Sequence, residues 1–212
     1  MKRFVLILLT LSLLLGIVNL TMFIVHAEDC EIPVATSTID FQVTPLSAQH
    51  TTSIAQEVIA VAQQEAIKNK HFQQYPYAAK IWYYLKSKGY NDYVCAGIMG
   101  NIMVEVGGGT LKLKPNAYGK GYYGICQWGK HYPKVWGKSL DYQCDFLEDT
   151  IRYEFKVFGK LYKKGFNYEK FTNLTDERAA ALAFAKCYER CSSKGYTKRQ
   201  NCAEIAYNYF VN

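Results

Sequence analysis

The stretch GNIMVEVGGG, residues 100–109, decides how the rest of the chain is understood. The residues before Glu105 are apolar on nearly every face of a helix, which predicts a buried helix that ends at this carboxylate. Burial and the negative end of the helix dipole both disfavour the charged form of a carboxylate. A carboxyl group that keeps its proton near neutral pH can protonate a leaving oxygen. Glu105 is therefore a candidate general acid, and the alternative is a solvated helix end followed by a glycine stop.

The residues around this stretch also favour helices joined by short turns. Helical periodicity covers YAAKIWYYLKSKG, LDYQCDFLEDTIRYEFKVF, DERAAALAFAKCYER and KRQNCAEIAYNYF, and Ser139, Thr175 and Thr197 are placed to cap the last three. A loop rich in Gly, Lys and Tyr, residues 107–136, follows the helix that ends at Glu105. The strand signal is weak and allows a small hairpin within residues 112–127. We predict a mainly α fold with a glycine-rich loop and at most a small β-hairpin.

Composition divides the 212 residues into three parts. Residues 1–27 begin with Lys2 and Arg3 and continue as an uncharged apolar run, which is typical of a signal peptide or of an uncleaved N-terminal membrane anchor. Residues 28–75 are rich in Thr, Ser and Pro, which indicates a polar linker, and a short helix is expected at residues 52–69. Residues 76–212 then form one compact domain.

Charge and the N-terminal segment predict a location and a class of partner. Lys2 and Arg3 favour an orientation in which everything after Ala27 lies outside the cytoplasm. We expect a secreted protein or one anchored to the outer face of the cytoplasmic membrane, which touches the membrane only through this segment. The formal net charge of +7 suits an anionic polymer of the cell envelope. No dense Lys/Arg block accompanies a nucleic-acid motif, so nucleic acid is not an expected partner, and the oligomeric state is left open.

Seven cysteines in an exported chain predict disulfides rather than redox catalysis. Cys30 stands apart in the linker, and six others are candidates for bridges: Cys95, Cys126, Cys144, Cys187, Cys191 and Cys202. Cys187 and Cys191 lie four apart on one predicted helix and Cys202 begins the next, so we expect a bridge from one of them to Cys202. A zinc site is the alternative, but no CxxC or paired-histidine spacing supports it. We predict no metal and no cofactor.

Two segments together resemble a known family. GIMGNIMVEVGG followed by GYYGICQWGK is similar to the lysozyme domain of phage tail and cell-wall-degrading proteins, and the similarity continues through YEFKVF, LAFAKCYER and KRQNCAEIAYNYF. The resemblance implies a lysozyme-like helical domain that cleaves the bond from N-acetylmuramic acid to N-acetylglucosamine in peptidoglycan. On this resemblance Glu105 matches the catalytic acid. Gly124, Gln127 and Trp128 match the segment that lines the sugar cleft.

The sequence departs from the family pattern at two places. Val106 stands where the family usually has serine, which removes a hydroxyl that would help to fix the acid. Some relatives carry an aspartate in the following loop, whereas this chain has no acidic residue between Glu105 and Gln127. Two reactions therefore stay open. Asn116 or Gln127 activates water in a hydrolase, or the substrate's own hydroxyl attacks and leaves an anhydro sugar, as in lytic transglycosylases.

Other acidic residues are expected to be structural. Asp141, Asp145 and Glu148 recur at a spacing typical of a solvated or salt-bridged helix face. Glu189, in the CYER segment, is expected to make a structural ion pair.

Aromatic side chains of the glycine-rich loop are candidates for stacking on sugars, because their rings are apolar and their edges polar. They are Tyr118, Tyr122, Tyr123, Trp128 and Tyr132, and we choose Trp128 and Tyr123 as the sugar contacts.

Two other functions compete with a glycosidase. Cys126 and His131 lie close together and suggest a cysteine peptidase, which an oxidised thiol would exclude. A lysozyme-like domain that binds peptidoglycan without cutting it is the stronger rival, supported by Val106 and by the missing second acid.

Overall fold

The computed structural model describes residues 48–212. The predicted signal peptide or anchor, and the predicted linker up to residue 47, lie outside these described residues. Within residues 48–212, no helix combines the length and the apolarity that crossing a membrane requires.

Helices dominate the described chain. They are α1 (Ala48–Gln74), α2 (Pro76–Ser87), α3 (Asp92–Val106), α4 (Leu140–Phe158), α5 (Tyr168–Thr172), α6 (Glu177–Phe184) and α7 (Tyr196–Phe210). Two-residue strands β1 (Tyr118–Gly119) and β2 (Tyr122–Tyr123) pair antiparallel, with Tyr118 opposite Tyr123. This confirms the predicted mainly α fold with one small hairpin, and the hairpin lies inside the glycine-rich loop.

Helix α1 is longer than the short helix expected at residues 52–69, since it has 27 residues. The Ala- and Gln-rich residues favour a helix on their own, so it extends beyond the apolar positions from which the prediction was made. It ends where Pro76 restricts Tyr75. Among residues 56–74 of this helix, whose side chains the structure describes, burial is confined to the C-terminal end. There the ring centroid of His71 lies 4.8 Å from that of Tyr209 and 4.9 Å from that of Phe210.

The helix caps follow the sequence closely, with two differences. Ser139 accepts from the backbone N–H of Tyr142 at the start of α4, as predicted. Asp176, rather than Thr175, caps α6 by accepting from the N–H of Ala179. Helix α7 begins at Tyr196 and has no side-chain cap, so the cap predicted at Thr197 is wrong.

Helix α3 is the central element, and two glycines bring its neighbours close. A Cβ on Gly97 would lie 2.5 Å from Cβ of Ala180 in α6. A Cβ on Gly100 would lie 2.5 Å from the backbone oxygen of Arg199 in α7. Because neither glycine has a side chain, α6 and α7 pack directly against the α3 backbone. The apolar faces seen in the sequence are thereby buried, and Glu105 is carried to the edge of this three-helix core.

Candidate active site

Glu105 is the next-to-last residue of α3 and contacts a guanidinium that the sequence analysis did not anticipate. The Arg199 Nη2 donates to Oε1 of Glu105 at 2.5 Å, and Nη1 donates to the backbone oxygen of Asn101 at 3.3 Å. The Arg199 side chain is 6% exposed and that of Glu105 is 20% exposed. We expected burial and the helix dipole to control this carboxylate. Instead a buried cation lies directly against it.

Arg199 was missed, although the sequence of α7 carries a signal for it. The buried residues of α7 are Arg199, Cys202, Ala203, Ala206 and Phe210, which form one helical stripe. A charged residue on an otherwise apolar stripe predicts a buried partner of opposite charge. Glu105 is that partner.

Glu189 is the second carboxylate at this site. It ends a π-helical turn, Ala185–Glu189, that continues α6, and the next residue, Arg190, has left-handed backbone angles. The Oε1 atom of Glu189 is buried and has no hydrogen-bond partner. Burial and then the charge of Glu105 together raise the pKa of the Glu189 carboxyl to about 8, against the opposing effect of Arg199. π-Helical turns of this kind are frequent at functional sites.

The structural ion pair expected for Glu189 is therefore not found among the described residues. The neighbouring Arg190 instead pairs with Glu154, whose other oxygen accepts from the Tyr132 hydroxyl at 2.7 Å. The prediction was wrong because the segment leaves α6 through a π-helical turn rather than as a regular helix.

An open cleft of about 440 Å³ lies between the two carboxylates and the glycine-rich loop. We call it the cleft, and it is lined by Glu105, Gly119, Lys120, Tyr122, Cys126, Gln127 and Glu189. A second cavity of about 180 Å³, the side pocket, shares Tyr122, Cys126, Gln127 and Glu189 with the cleft. The side pocket is also lined by Trp128, Gly129, His131, Tyr132, Glu154, Tyr188 and Arg190. The two cavities therefore adjoin along these four shared residues, and Glu189 is one of them.

Backbone strain is concentrated around these cavities. Three non-glycine residues in the described part of the chain have positive φ: Lys120 (51°), Gln127 (46°) and Arg190 (51°). All three line the cleft or the side pocket. Such conformations persist where the surrounding structure enforces them, and they cluster at active sites.

Gln127 lies in the cleft, but its amide nitrogen is already used. Nε2 donates to the backbone oxygens of Ala117 at 3.1 Å and Gly124 at 3.0 Å. These bonds hold the loop in the left-handed turn at Gln127. The residue chosen for substrate contact or water activation therefore also shapes the cleft wall.

Neither of the two aromatic residues chosen as sugar contacts, Trp128 and Tyr123, lines the cleft. Trp128 is buried against the side pocket, and its Nε1 donates to the Tyr188 hydroxyl at 3.1 Å. Tyr123 is 8% exposed, and its hydroxyl lies 3.1 Å from Asn116 Oδ1 and 3.2 Å from the backbone oxygen of Lys138, two alternative acceptors for its one proton. Tyr122 is 50% exposed and lines both cavities. Because strand residues alternate between faces, Tyr122 reaches the cavities and Tyr123 the interior of the loop.

Gly124 and Asn116 support the loop rather than the cleft. Gly124 has φ +80°, and a Cβ there would lie 2.6 Å from Oε1 of Gln143. That oxygen accepts from the backbone N–H of Ile125, which ties the loop to α4. Asn116 is exposed and accepts from Tyr123.

The predicted disulfides are not formed. The six cysteines within residues 48–212 are free, and Cys30 lies outside the described residues. Cys187 Sγ faces the backbone oxygen of Gly159, whereas Cys202 Sγ faces that of Gly109, so the two thiols point to different parts of the fold. In this part of the chain no three His, Cys, Asp or Glu side chains are grouped as metal ligands would be.

The pairing of Cys126 with His131 does not make a nucleophile. Both residues line the side pocket. Burial raises the pKa of the Cys126 thiol well above its usual range, and the charges of Glu189 and Glu105 add to this effect. A thiol that resists ionisation is a poor nucleophile, so the site does not support a cysteine peptidase.

The acidic residues of α4 are bonded to other helices, in agreement with a salt-bridged helix face. Asp141 pairs with Lys80 at 2.7 Å. Asp145 accepts from the Tyr84 hydroxyl at 2.8 Å, and Glu148 accepts from that of Tyr90 at 2.9 Å. These bonds fasten α4 to the α2 region.

Residues 76–210 match the family model described as phage tail lysozyme. The match runs from the first residue of α2 to the last of α7, and so includes Glu105, Glu189 and Arg199. No curated protein and no solved structure matches the chain.

Proposed function

The chain belongs to the phage tail lysozyme family, and on that premise we propose that it cleaves peptidoglycan strands with Glu105 as general acid. The observation that carries the proposal is the position of Glu105 in an open cleft, with a second carboxylate on the same cleft. A protonated Glu105 donates to the oxygen of the leaving sugar as the glycosidic bond breaks. The bond proposed is the one from N-acetylmuramic acid to N-acetylglucosamine.

Val106 stands where the family usually has serine, and in the folded chain this difference argues less strongly against catalysis than it does in the sequence. Val106 is buried in the apolar core, and its backbone oxygen accepts from the N–H of Lys114. A serine at this position would direct its hydroxyl into the core rather than onto Glu105. The first argument for a domain that only binds peptidoglycan is therefore weakened.

The second argument for a binding-only domain concerned the absence of a second acid in the loop. Glu189 supplies a carboxylate to the cleft from a distant part of the chain. Peptidoglycan as substrate, together with Lys2, Arg3 and the apolar run that follows, supports action outside the cytoplasm. Secretion and anchoring both remain part of this proposal.

The test is digestion of purified peptidoglycan by the full chain and by its Glu105→Gln variant, with mass spectrometry of the released fragments. We expect the wild type to release muropeptides and the variant to release them at least about a hundredfold more slowly, because the proton donor is lost. Reducing ends would identify a hydrolase, and anhydro ends a lytic transglycosylase.

Glu204→Gln is the matched control, because Glu204 is exposed and pairs with Arg178 away from the cleft. It should release fragments at the wild-type rate. If the wild type and Glu105→Gln both bind the polymer and neither releases fragments, the domain is a binding module and the enzymatic proposal fails.

A further inference from the structure

A general acid must carry a proton, whereas Glu105 contacts a guanidinium. Arg199 is buried and donates to Glu105 at 2.5 Å, and water cannot disperse its charge. Its Nε atom is also buried and has no partner. A buried cation in contact with one carboxylate favours the charged state of that carboxylate. This contact alone therefore does not provide the proton that the proposed acid must carry.

Glu189 changes this balance because it lines the same cleft as Glu105, and its charge acts on the same cation. The charged and titratable groups around Glu189 come from several elements: Glu105 from α3, Arg199 from α7, Cys126 from the loop and Arg190 beside it in the chain. Arg190 is already paired with Glu154. The remaining cluster, Glu105–Arg199–Glu189, has two carboxylates for one guanidinium.

One proton makes this cluster neutral. With both carboxylates ionised it would carry a net negative charge, and part of that charge would lie on Glu189 Oε1, which is buried without a donor. An unpaired buried carboxylate is costly, and two like charges facing one another raise the cost. Protonation removes both penalties.

We propose that Glu189 is a positioning residue that keeps one proton in the Glu105–Arg199–Glu189 cluster, so that Glu105 can act as the acid. The inference rests on the proposed function. The cluster gives its proton through Glu105 to the leaving oxygen while the glycosidic C–O bond breaks. The water or sugar hydroxyl that attacks the anomeric carbon returns a proton to the cluster, so the cycle closes without any other reactant.

The test is the pH dependence of muropeptide release by the full chain, for the wild type, Glu189→Gln and Glu189→Asp. Glu189→Gln removes one negative charge, so the cluster no longer needs a proton to be neutral. The alkaline limb of the profile should therefore move to lower pH by about one unit, with roughly tenfold lower activity at pH 7 and recovery in acid. Glu189→Asp keeps the charge and should keep the alkaline limb.

Thermal unfolding of each variant shows that it is folded before its profile is measured, and Glu204→Gln serves again as the control. A uniform loss of activity at every pH in Glu189→Gln would mean a purely structural role and would overturn the proposal. An unchanged profile would overturn it as well, while the glycosidase function of the wild type would stand.

A separate readout does not depend on activity. In a ¹³C titration of the glutamate carboxyl groups of the wild type, one signal should retain its proton well above the ordinary range of glutamate, and that signal should be missing in Glu189→Gln. If no carboxyl behaves this way, the proton-holding cluster does not exist, whether or not the protein cuts peptidoglycan.

Discussion

Arg199 is the residue that most changes the interpretation of Glu105. Glu105 was recognised from the sequence because its position at the end of an apolar run is local information. Arg199 could be assigned to the buried stripe of α7, but the sequence does not say which carboxylate it meets, since the two are 94 positions apart. Such a pairing is fixed by how α3 and α7 pack.

Replacing Arg199 by methionine should destabilise the fold by about 1–3 kcal/mol, less than a fully buried pair because Glu105 is partly exposed. The physical reason is that a partly buried carboxyl group loses the guanidinium that bonds to it. Urea unfolding measures the effect. In the double variant with Glu105→Gln the loss should be smaller than the sum of the two single losses. Strict additivity would show that the two side chains do not interact in solution.

The stability of the protein should fall as the pH rises through neutrality, because of Glu189. Its pKa is raised in the folded state, so between the ordinary glutamate range and about 8 the folded chain binds more protons than the unfolded chain. Unfolding free energy must then decrease with pH across that window and level off above it. Thermal unfolding between pH 4 and pH 9 measures this slope. Glu189→Gln should flatten it, and an equal slope in the variant would contradict the assignment.

At the scale of elements, the glycines of α3 set the distance to its neighbours. Gly97→Ala should lower the free energy of unfolding by about 1–3 kcal/mol, because the new methyl group meets Ala180 at 2.5 Å. Gly119→Ala is the control, since a Cβ there has no atom within 4 Å, and it should change stability by less than about 0.5 kcal/mol. Equal stability of the two variants in urea unfolding would mean that α6 does not pack as closely as described.

The hairpin presents one aromatic side chain to the cavities, and that residue differs from the one chosen from the sequence. Tyr122→Ala should weaken binding of soluble glycan fragments roughly three- to tenfold, because an exposed ring that lines both cavities is lost. Tyr118→Ala is the matched control on the other strand of the same hairpin, where the ring contacts Trp136. Isothermal titration calorimetry of both variants with the same soluble glycan fragments measures the two affinities. If Tyr118→Ala is the weaker binder, the glycan lies on the opposite face.

The helices were predictable from periodicity and caps. Which side chains of the glycine-rich loop face the cleft was not predictable. Alternation along β2 decides whether Tyr122 or Tyr123 faces the cleft, and a two-residue strand gives too short a pattern to set that register in advance. The left-handed turn at Gln127 was likewise not predictable from the sequence. Gln127 was chosen for its side chain, and the structure shows that its backbone angle and amide bonds form the wall as well.

At the scale of the whole molecule, the charge is unevenly distributed around the cleft. Residues 107–140 contain six lysines and no acidic residue, and all six lysines are exposed: Lys112, Lys114, Lys120, Lys130, Lys134 and Lys138. Lys120 lines the cleft, and Lys130 approaches the hairpin at Gly121. This distribution agrees with the anionic envelope polymer expected from the net charge.

Binding to whole cell walls should therefore weaken as salt rises, because screening removes long-range attraction between a basic loop and an anionic polymer. Co-sedimentation with cell walls between 0.05 and 0.5 M NaCl measures this. The variant Lys120→Gln/Lys130→Gln should show a shallower dependence than the wild type. Lys160→Gln/Lys164→Gln, a change of equal charge at two exposed lysines outside the loop, is the control. The same salt dependence in both double variants would mean that the loop does not guide binding.

The contact between α3 and α7 also sets when the site is complete during synthesis. A ribosome completes Glu105, the hairpin and the cleft loop well before it reaches Arg199, and the guanidinium joins the acid across 94 positions of chain. A nascent chain, or one cut short between residues 106 and 198, carries the acid without the cation beside it. The site of the proposed glycosidase is thus assembled only after α7 has emerged and folded.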